Sequence, residues 1–295
     1  YYYLNSTYSD ILSSKWSIKA GLSSTSNTED IDFNQEKFTG KEVGTHAKVA
    51  FNWDANEKVS LNFGSEFLYK TFTREVTPFE AATSGYDFTD NITATYAEAD
   101  YYASNKFILR TGIRYEYSSL LNKSWLNPRI AASYKLTDDG QFSMAYGKFL
   151  QAPQNDYAVV NNNLTPEVAT HFMLNYQHIV NNRVFRVEVY QKEYDDLVKY
   201  DNPIDFTPSN FNNNGYGKAK GVDFFWRDGV TFKATDYWIS YSYVDSNRDY
   251  INYTEAATPS FISKHNFSFV VKHLIQPIRV QFGATYNFAS TRLYH

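Results

Sequence analysis

Short and long connections alternate along this chain, and they separate segments in which apolar and polar residues alternate one by one. Residues 278–288, IRVQFGATYNF, keep that pattern for eleven positions. A period of two predicts a β-strand with one apolar and one polar face. Fourteen such segments lie approximately at 2–9, 14–24, 43–53, 58–71, 92–103, 106–118, 128–137, 140–150, 168–179, 183–199, 214–227, 230–244, 261–273 and 277–288. We therefore predict an all-β fold.

The connections decide which all-β fold is expected. The short ones are rich in Asp, Asn and Gly, which favour tight hairpins with positive φ; they lie at 54–57, 104–105, 137–140, 180–183, 227–229 and 273–276. The long polar ones lie at about 25–42, 72–91, 119–127, 151–167, 200–213 and 245–260. A transmembrane barrel has short periplasmic turns at one rim and longer extracellular loops at the other. Greek-key sandwiches have connections of varied length. The alternation thus predicts an antiparallel up-and-down transmembrane β-barrel in the outer membrane of a Gram-negative cell.

Composition agrees with this interpretation. The chain has 295 residues and contains no run of 18 apolar residues, so it has no transmembrane-helix signal. Aromatic residues make up 18% of the chain, which suits the girdles of a barrel. The net charge of -4 argues against a nucleic acid as partner. Cysteine is absent, which excludes disulfides and thiolate sites. We expect outer-membrane lipid to contact the apolar faces.

The sequence offers no convincing catalytic or metal site. Asp138 and Asp139 fall in a short turn, where Asp bonds its own backbone. Ser263 and His265 are two residues apart on one strand, a spacing more typical of a strand than of a catalytic dyad. The six histidines lack ligand spacing. We expect no enzyme, no cofactor and no metal.

Charged residues on the polar faces are expected to line a lumen. On the lipid side each would cost roughly 2–4 kcal/mol near the membrane midplane. The residues assigned to the lumen are Arg110, Arg114, Glu116, Arg186, Glu188 and, on the final strand, Arg279. Their expected partners are plug residues or lumen water.

Two polar segments are candidates for ligand binding, because loops on a rigid scaffold commonly carry binding sites. They combine aromatic and amide groups that suit sugar or peptide recognition. The residues are Tyr157, Asn161, Asn162, Asn163, Asn212, Asn213 and Tyr216. The alternative interpretation is that Asn-rich loops are simply soluble loops.

Three glycines occur at alternate positions near the second polar segment: Gly215, Gly217 and Gly221. In a strand they leave room on one face, either for a plug or for a strongly coiled wall. No helix follows them, so a phosphate-binding loop is not expected.

From about Asn127 onward the chain resembles the C-terminal barrel half of TonB-dependent outer-membrane receptors, particularly those of Bacteroidetes type. The stretches that carry the resemblance are NPRIAASYKL (127–136), YGKFLQAP (146–153), LTPEVATHFMLNY (164–176), FRVEVYQKEYDDLVKY (185–200), NNNGYGKAKGVDFFWRD (212–228), YWISYSYVDSNRDY (237–250) and TPSFISKHNFS (258–268). The resemblance implies that residues 1–295 are part of a 22-stranded barrel domain, and that the present strands are roughly the seventh to the twentieth. It implies further strands and an N-terminal plug outside this chain.

The resemblance also implies a function. A receptor of this family would bind a scarce ligand at its extracellular loops and import it when energy from a TonB-type protein rearranges the plug. A surface lipoprotein is a further expected partner. The alternatives are a passive porin or adhesion barrel, and a secreted soluble glycan-binding β protein. A plug domain upstream would distinguish the receptor from the porin.

Overall fold

A computed structural model describes residues 1–33, 36–77, 84–202 and 207–292 of the chain. Its strands are β1 (Tyr2–Ser13), β2 (Trp16–Phe33), β3 (Glu36–Asn56), β4 (Val59–Thr77), β5 (Ser84–Tyr102), β6 (Phe107–Ser118), β7 (Lys123–Lys135), β8 (Gly140–Gln151), β9 (Glu167–Val180), β10 (Arg183–Tyr200), β11 (Phe211–Asp228), β12 (Thr235–Asp249), β13 (His265–Ile275) and β14 (Val280–Ala289). One single-turn helix, α1 (Asn155–Ala158), lies between β8 and β9. None of the helices in the described ranges has the length and hydropathy needed to cross a membrane.

Every strand pairs with its neighbour in sequence, so the fold is a single antiparallel up-and-down sheet running from β1 to β14. The predicted all-β class and strand number are confirmed. Within the described residues β1 and β14 do not pair with each other, and the sheet is therefore open.

The two faces of the sheet differ in polarity, as the period of two predicts. On β6, Ile113 and Tyr115 lie on one face, and Arg114 and Glu116 on the other. The apolar face is exposed along the sheet: Leu126, for example, is 56% exposed. Such a surface would be unfavourable in water but is stable in lipid.

Curvature of the sheet places the polar face inside. Asp156 accepts a hydrogen bond of 2.8 Å from Arg74 on β4, while the ring of the next residue, Tyr157, lies 5.5 Å from that of Phe211 on β11. In a flat sheet, β4 and β11 would be about seven spacings, or roughly 34 Å, apart. Adjacent residues contact both strands only if the sheet curls around its polar side. We call this side the inner face, and the end with the long connections the outer end.

The short connections agree with the sequence in one respect and differ in another. Asn181 and Asn182 form a two-residue hairpin with φ values of 46° and 59°, as Asn-Asn predicts. Glycine was expected to supply positive φ elsewhere, and this expectation is wrong, because no glycine in the described ranges adopts positive φ. In the β11–β12 connection the carboxylate of Asp228 instead accepts backbone hydrogen bonds from Val230 and Thr231, each of 2.8 Å.

Several of the long connections are shorter than predicted. β2 and β3 stay paired up to Phe33 and Glu36, and β4 and β5 up to Val76 and Ser84. The residues at the two tips, 34–35 and 78–83, lie outside the described ranges. The prediction failed because polar residues predominate in these hairpins beyond the apolar band, while backbone pairing continues. The connection predicted at 119–127 shrinks to 119–122, whereas long connections remain at 152–166, 201–210 and 250–264.

The prediction that Arg279 lies on the polar face of the final strand is wrong. β13 continues to Ile275, a 3-10 turn covers Gln276–Ile278, and Arg279 follows with φ 53° before β14 begins. Pro277 lacks an N–H group and cannot donate to a strand ladder, which favours a turn here. Arg279 therefore lies in the β13–β14 turn.

Candidate functional site

The connection 152–166, which we call the strap, folds over the inner face near its outer end. Pro153, which follows β8 closely, cannot donate to the ladder, and the chain then turns into α1. α1 lies between two groups of strands and is anchored to both. The strap thereby narrows the space that the curved sheet encloses.

The first anchor ties α1 to β3, β4 and β5. Arg74 forms an ion pair of 2.8 Å with Asp156. The Asn155 amide accepts a hydrogen bond of 2.5 Å from Lys70 and donates one of 3.2 Å to Glu42. Beneath them Ala158, which is only 4% exposed, packs against Phe72 and Phe88. This anchor therefore combines an ion pair and polar hydrogen bonds with apolar packing beneath them.

The second anchor ties the strap to β10 and β11 through apolar contacts. Leu164, Val198 and Phe211 are buried together, and Tyr157 packs against them. The ring of Tyr157 lies 5.6 Å from that of Tyr200. Burial, with a contribution from the Tyr200 hydroxyl, raises the pKa of the Tyr157 phenol. Tyr157 is therefore neutral over the ordinary pH range.

Amide side chains complete the second anchor. Asn213 accepts a hydrogen bond of 2.7 Å from the Thr165 N–H and donates one of 3.0 Å to the Thr165 carbonyl. Asn161 donates bonds of 3.1 Å each to the carbonyls of Pro208 and Phe211. The sequence suggested these amides as ligand contacts, but in this structure they hold the strap.

The remaining predicted ligand-binding residues are placed differently. Asn162 and Asn163 are exposed on the strap. Asn212 and Asn213 belong to β11, so their assignment to the connection 200–213 is wrong, whereas Tyr216 lies in the same strand as the segment 214–227 predicted. Residues 212–214 are all Asn and give no alternation signal, although β11 pairs with β10 here. Tyr216 lies on the apolar face, away from the strap, and is 56% exposed. A role in ligand binding stays a prediction for all seven residues.

The predicted lumen charges lie on the inner face, apart from Arg279. Arg110 binds Asp100 through two hydrogen bonds, of 2.6 and 2.7 Å. Arg114 pairs with Glu66 at 3.1 Å and with Glu116 at 3.0 Å. Within the sheet these arginines thus pair with carboxylates of the wall, and contacts with plug residues or water stay a prediction. Sequence reasoning missed Glu66, because its contact with Arg114 depends on strand register.

Farther along the same face, Glu188 receives a bond of 3.5 Å from the Asn175 amide. Arg186 is exposed and has no carboxylate partner among the described residues. Both lie on β10.

The space beside the glycines of β11 is filled by side chains of neighbouring strands. A Cβ on Gly217 would lie 2.7 Å from Cγ of Arg248, and a Cβ on Gly221 would collide with the ring of Tyr190. The space that the sequence assigned to a plug or to coiling of the wall is occupied, at these positions, by side chains of neighbouring strands.

Comparisons with known proteins agree with this architecture. Residues 1–295 match the model of the family described as "TonB dependent receptor-like, beta-barrel". Among curated proteins, none matches the sequence of this chain. Solved structures with a similar fold include the siderophore receptor PiuA from Acinetobacter baumannii, with a TM-score of 0.74 and 13% identity over 96% of this chain and 53% of that chain.

Two further structures are similar to a comparable degree. The outer membrane transporter YddB from Escherichia coli has a TM-score of 0.72 and 12% identity, over 98% of this chain and 56% of that chain. The FrpB iron transporter from Neisseria meningitidis has a TM-score of 0.72 and 13% identity, over 95% of this chain and 49% of that chain. The chain thus spans about half the length of the structures that it matches.

Proposed function

Because the chain belongs to the family of TonB-dependent receptor β-barrels, whose members lie in the outer membrane, we propose that it is the barrel part of a receptor for a scarce nutrient. The receptor binds its ligand at the extracellular loops and admits it when a plug domain rearranges. A TonB-type protein supplies the energy for that step. The match of the whole chain to the family is the observation that carries this proposal.

The strap supports binding at the outer end. It covers the inner face and is held there by contacts with β3–β5 on one side and with β10–β11 on the other. Such anchoring gives the outer mouth a defined shape, and defined shape is what a selective binding site needs. The exposed Asn162 and Asn163 lie on this strap.

A metal chelate is our first candidate ligand. Two of the similar structures are described as a siderophore receptor and an iron transporter. Vitamins, oligosaccharides and peptides remain as further ligand classes, because fold alone does not fix the ligand. The Bacteroidetes type and a surface lipoprotein partner stay predictions from the sequence resemblance.

Growth of a deletion strain tests the proposal. The strain is grown with single sources of chelated iron, cobalamin, oligosaccharide or peptide, and the gene is returned in trans. We expect a growth defect on one source that the wild-type gene restores. The same defect should follow from loss of the TonB-type protein.

Growth that depends on the barrel but not on the TonB-type protein would instead indicate a passive porin. Full-length protein that stays monodisperse without detergent would contradict the membrane assignment.

A further inference from the structure

Near the outer end of the inner face, Arg248 of β12 is surrounded by aromatic rings. Its guanidinium carbon lies 4.0 Å from the ring centre of Tyr194, 5.8 Å from that of Tyr250 and 5.7 Å from that of Phe261. At these distances the guanidinium interacts with the ring faces as a cation–π contact. We call these four residues the Arg248 cage.

The register of the sheet builds the cage. Tyr194 on β10 is opposite Gly217 on β11, which is opposite Arg248 on β12. Because Gly217 has no side chain, Arg248 reaches across it to Tyr194, and a Cβ at this position would lie 2.7 Å from Cγ of Arg248. The glycine is therefore a requirement of this contact.

The connection 250–264 closes the cage from the outer side. It supplies Tyr250 and Phe261, and it folds back onto β12 at Ala257. The backbone of Ala257 exchanges hydrogen bonds of 2.9 and 3.0 Å with that of Arg248. Three strands and a loop thus fix the guanidinium in one position.

The charge of Arg248 has no carboxylate partner among the described residues. Its neighbour Asp249 is engaged with Lys199 at 2.5 Å. Glu167, on β9, accepts the backbone N–H of Val198 at 2.9 Å. Nε of Arg248 is buried without a hydrogen-bond partner, whereas its terminal nitrogens are not among the buried unpaired atoms.

We propose that the Arg248 cage binds an anionic oxygen group, a carboxylate or a phosphate, of the molecule that the receptor takes up. This inference rests on the proposed function. Stacking on the rings uses the face of the guanidinium and leaves its terminal N–H groups for a hydrogen-bond acceptor. Two parallel N–H groups of the planar guanidinium match two oxygen atoms of one anion. The aromatic rings fix the side chain before the anion arrives, which reduces the entropy lost on binding.

Titration calorimetry of the full-length receptor in detergent tests the proposal, with citrate and inorganic phosphate as probes and choline as a cationic control. We expect the wild type to bind at least one of the two anions and not choline. Arg248→Gln should weaken that binding by at least about tenfold, the amount that a charged hydrogen bond contributes. Arg248→Lys keeps the charge but loses the fork, and should give an intermediate affinity.

Two further variants separate binding from structure. Arg279→Gln is the matched control, because Arg279 also has no carboxylate partner among the described residues but lies in the β13–β14 turn at the opposite end. It should leave anion binding unchanged. Tyr194→Leu removes the ring under the guanidinium and should weaken binding about two- to fivefold. Thermal melting of each variant reports whether it is folded.

Two results would overturn the proposal. One is an Arg248→Gln variant that folds and binds the anions as tightly as the wild type. The other is a wild-type receptor that binds neither anion, as expected if a carboxylate of a plug domain already occupies the guanidinium. Neither result bears on the growth of the deletion strain, so failure of the cage and failure of the proposed function are distinguishable.

Discussion

On the inner face, the arginines of β6 and β7 are neutralised by carboxylates of the sheet, whereas Arg248 of β12 is not. Arg110, Arg114 and Arg129 each contact a carboxylate of another strand, on β5, β4 and β5 respectively, at distances between 2.6 and 3.1 Å. Arg248 contacts aromatic rings instead and has no carboxylate partner in the described ranges. In the first region each of these arginines has a carboxylate partner within the sheet, and the ion pairs stabilise the sheet itself. The second leaves a fixed cation for a partner that comes from outside the wall, which is why it is the better candidate for binding.

Filling the space beside Arg248 should give the largest effect. Gly217→Ala places a Cβ against Arg248, and overpacking of this kind costs about 1–3 kcal/mol. It should also push the guanidinium off Tyr194 and weaken binding of citrate or phosphate. Denaturant unfolding of the detergent-solubilised receptor measures the first effect, and calorimetry the second.

Gly85→Ala is the control for this substitution, because a Cβ on Gly85 would meet no atom within 4 Å. It should change the free energy of unfolding by less than about 0.5 kcal/mol. Equal effects of the two substitutions would mean that Gly217 has no special role in the cage.

Removing a carboxylate from the neutralised region should have the next largest effect. Glu66→Gln leaves Arg114 with only Glu116 and deprives Lys48 of its partner at 3.4 Å. Breaking a fully buried pair costs roughly 3–5 kcal/mol, and the partial exposure of Glu66 reduces the expectation to about 1–2 kcal/mol. Denaturant unfolding measures the loss. Glu116→Gln, which leaves the Glu66 contacts in place, should cost less; the reverse order would contradict the importance of Glu66.

Much of the neutralised region could be predicted from the sequence, and little of the cage. Alternation alone put Arg110 and Arg114 on one face of β6. Their partners Asp100 and Glu66 were not assigned, because side chains meet across strands only once the register is known. The cage needs the register of three strands and the return of a loop to Ala257, and neither leaves a local pattern in the sequence.

The strap illustrates the same limit. Its bounds followed from the loss of alternation between β8 and β9, but its path did not. Asp156 meets Arg74 only because the whole sheet curls, and curvature is a property of many strands together. The error at Arg279 was local: the alternation continued through Pro277 although the backbone had already turned.

The strap connects β3–β5 with β10–β11, and salt should weaken only its first anchor. Asp156 is 46% exposed, so its pair with Arg74 resembles a surface ion pair. A double-mutant cycle with Arg74→Gln and Asp156→Asn should give a coupling of about 0.5 kcal/mol that falls as salt shortens the Debye length. Hydrogen exchange of the amides of Ala158 and Val159, which are bonded within α1, measures it. A coupling that is unchanged in high salt would argue against an ionic anchor.

Alkaline pH should weaken only the second anchor, and this is the smallest effect we expect. Burial raises the pKa of the Tyr157 phenol above its ordinary value of about 10. Below that value the phenol is neutral in the docked and undocked strap, so docking is fully stable. Above it the undocked strap ionises first, and docking is lost as pH rises toward the raised pKa. Hydrogen exchange of the Asn161 amide, bonded to the Tyr157 carbonyl at 2.9 Å, should therefore accelerate in alkali by more than base catalysis of exchange alone produces. Tyr157→Phe keeps the ring and should remove this acceleration. Tyr250→Phe, which removes another phenol of raised pKa from a different loop, should preserve it. Acceleration that persists in Tyr157→Phe would show that another group controls the second anchor.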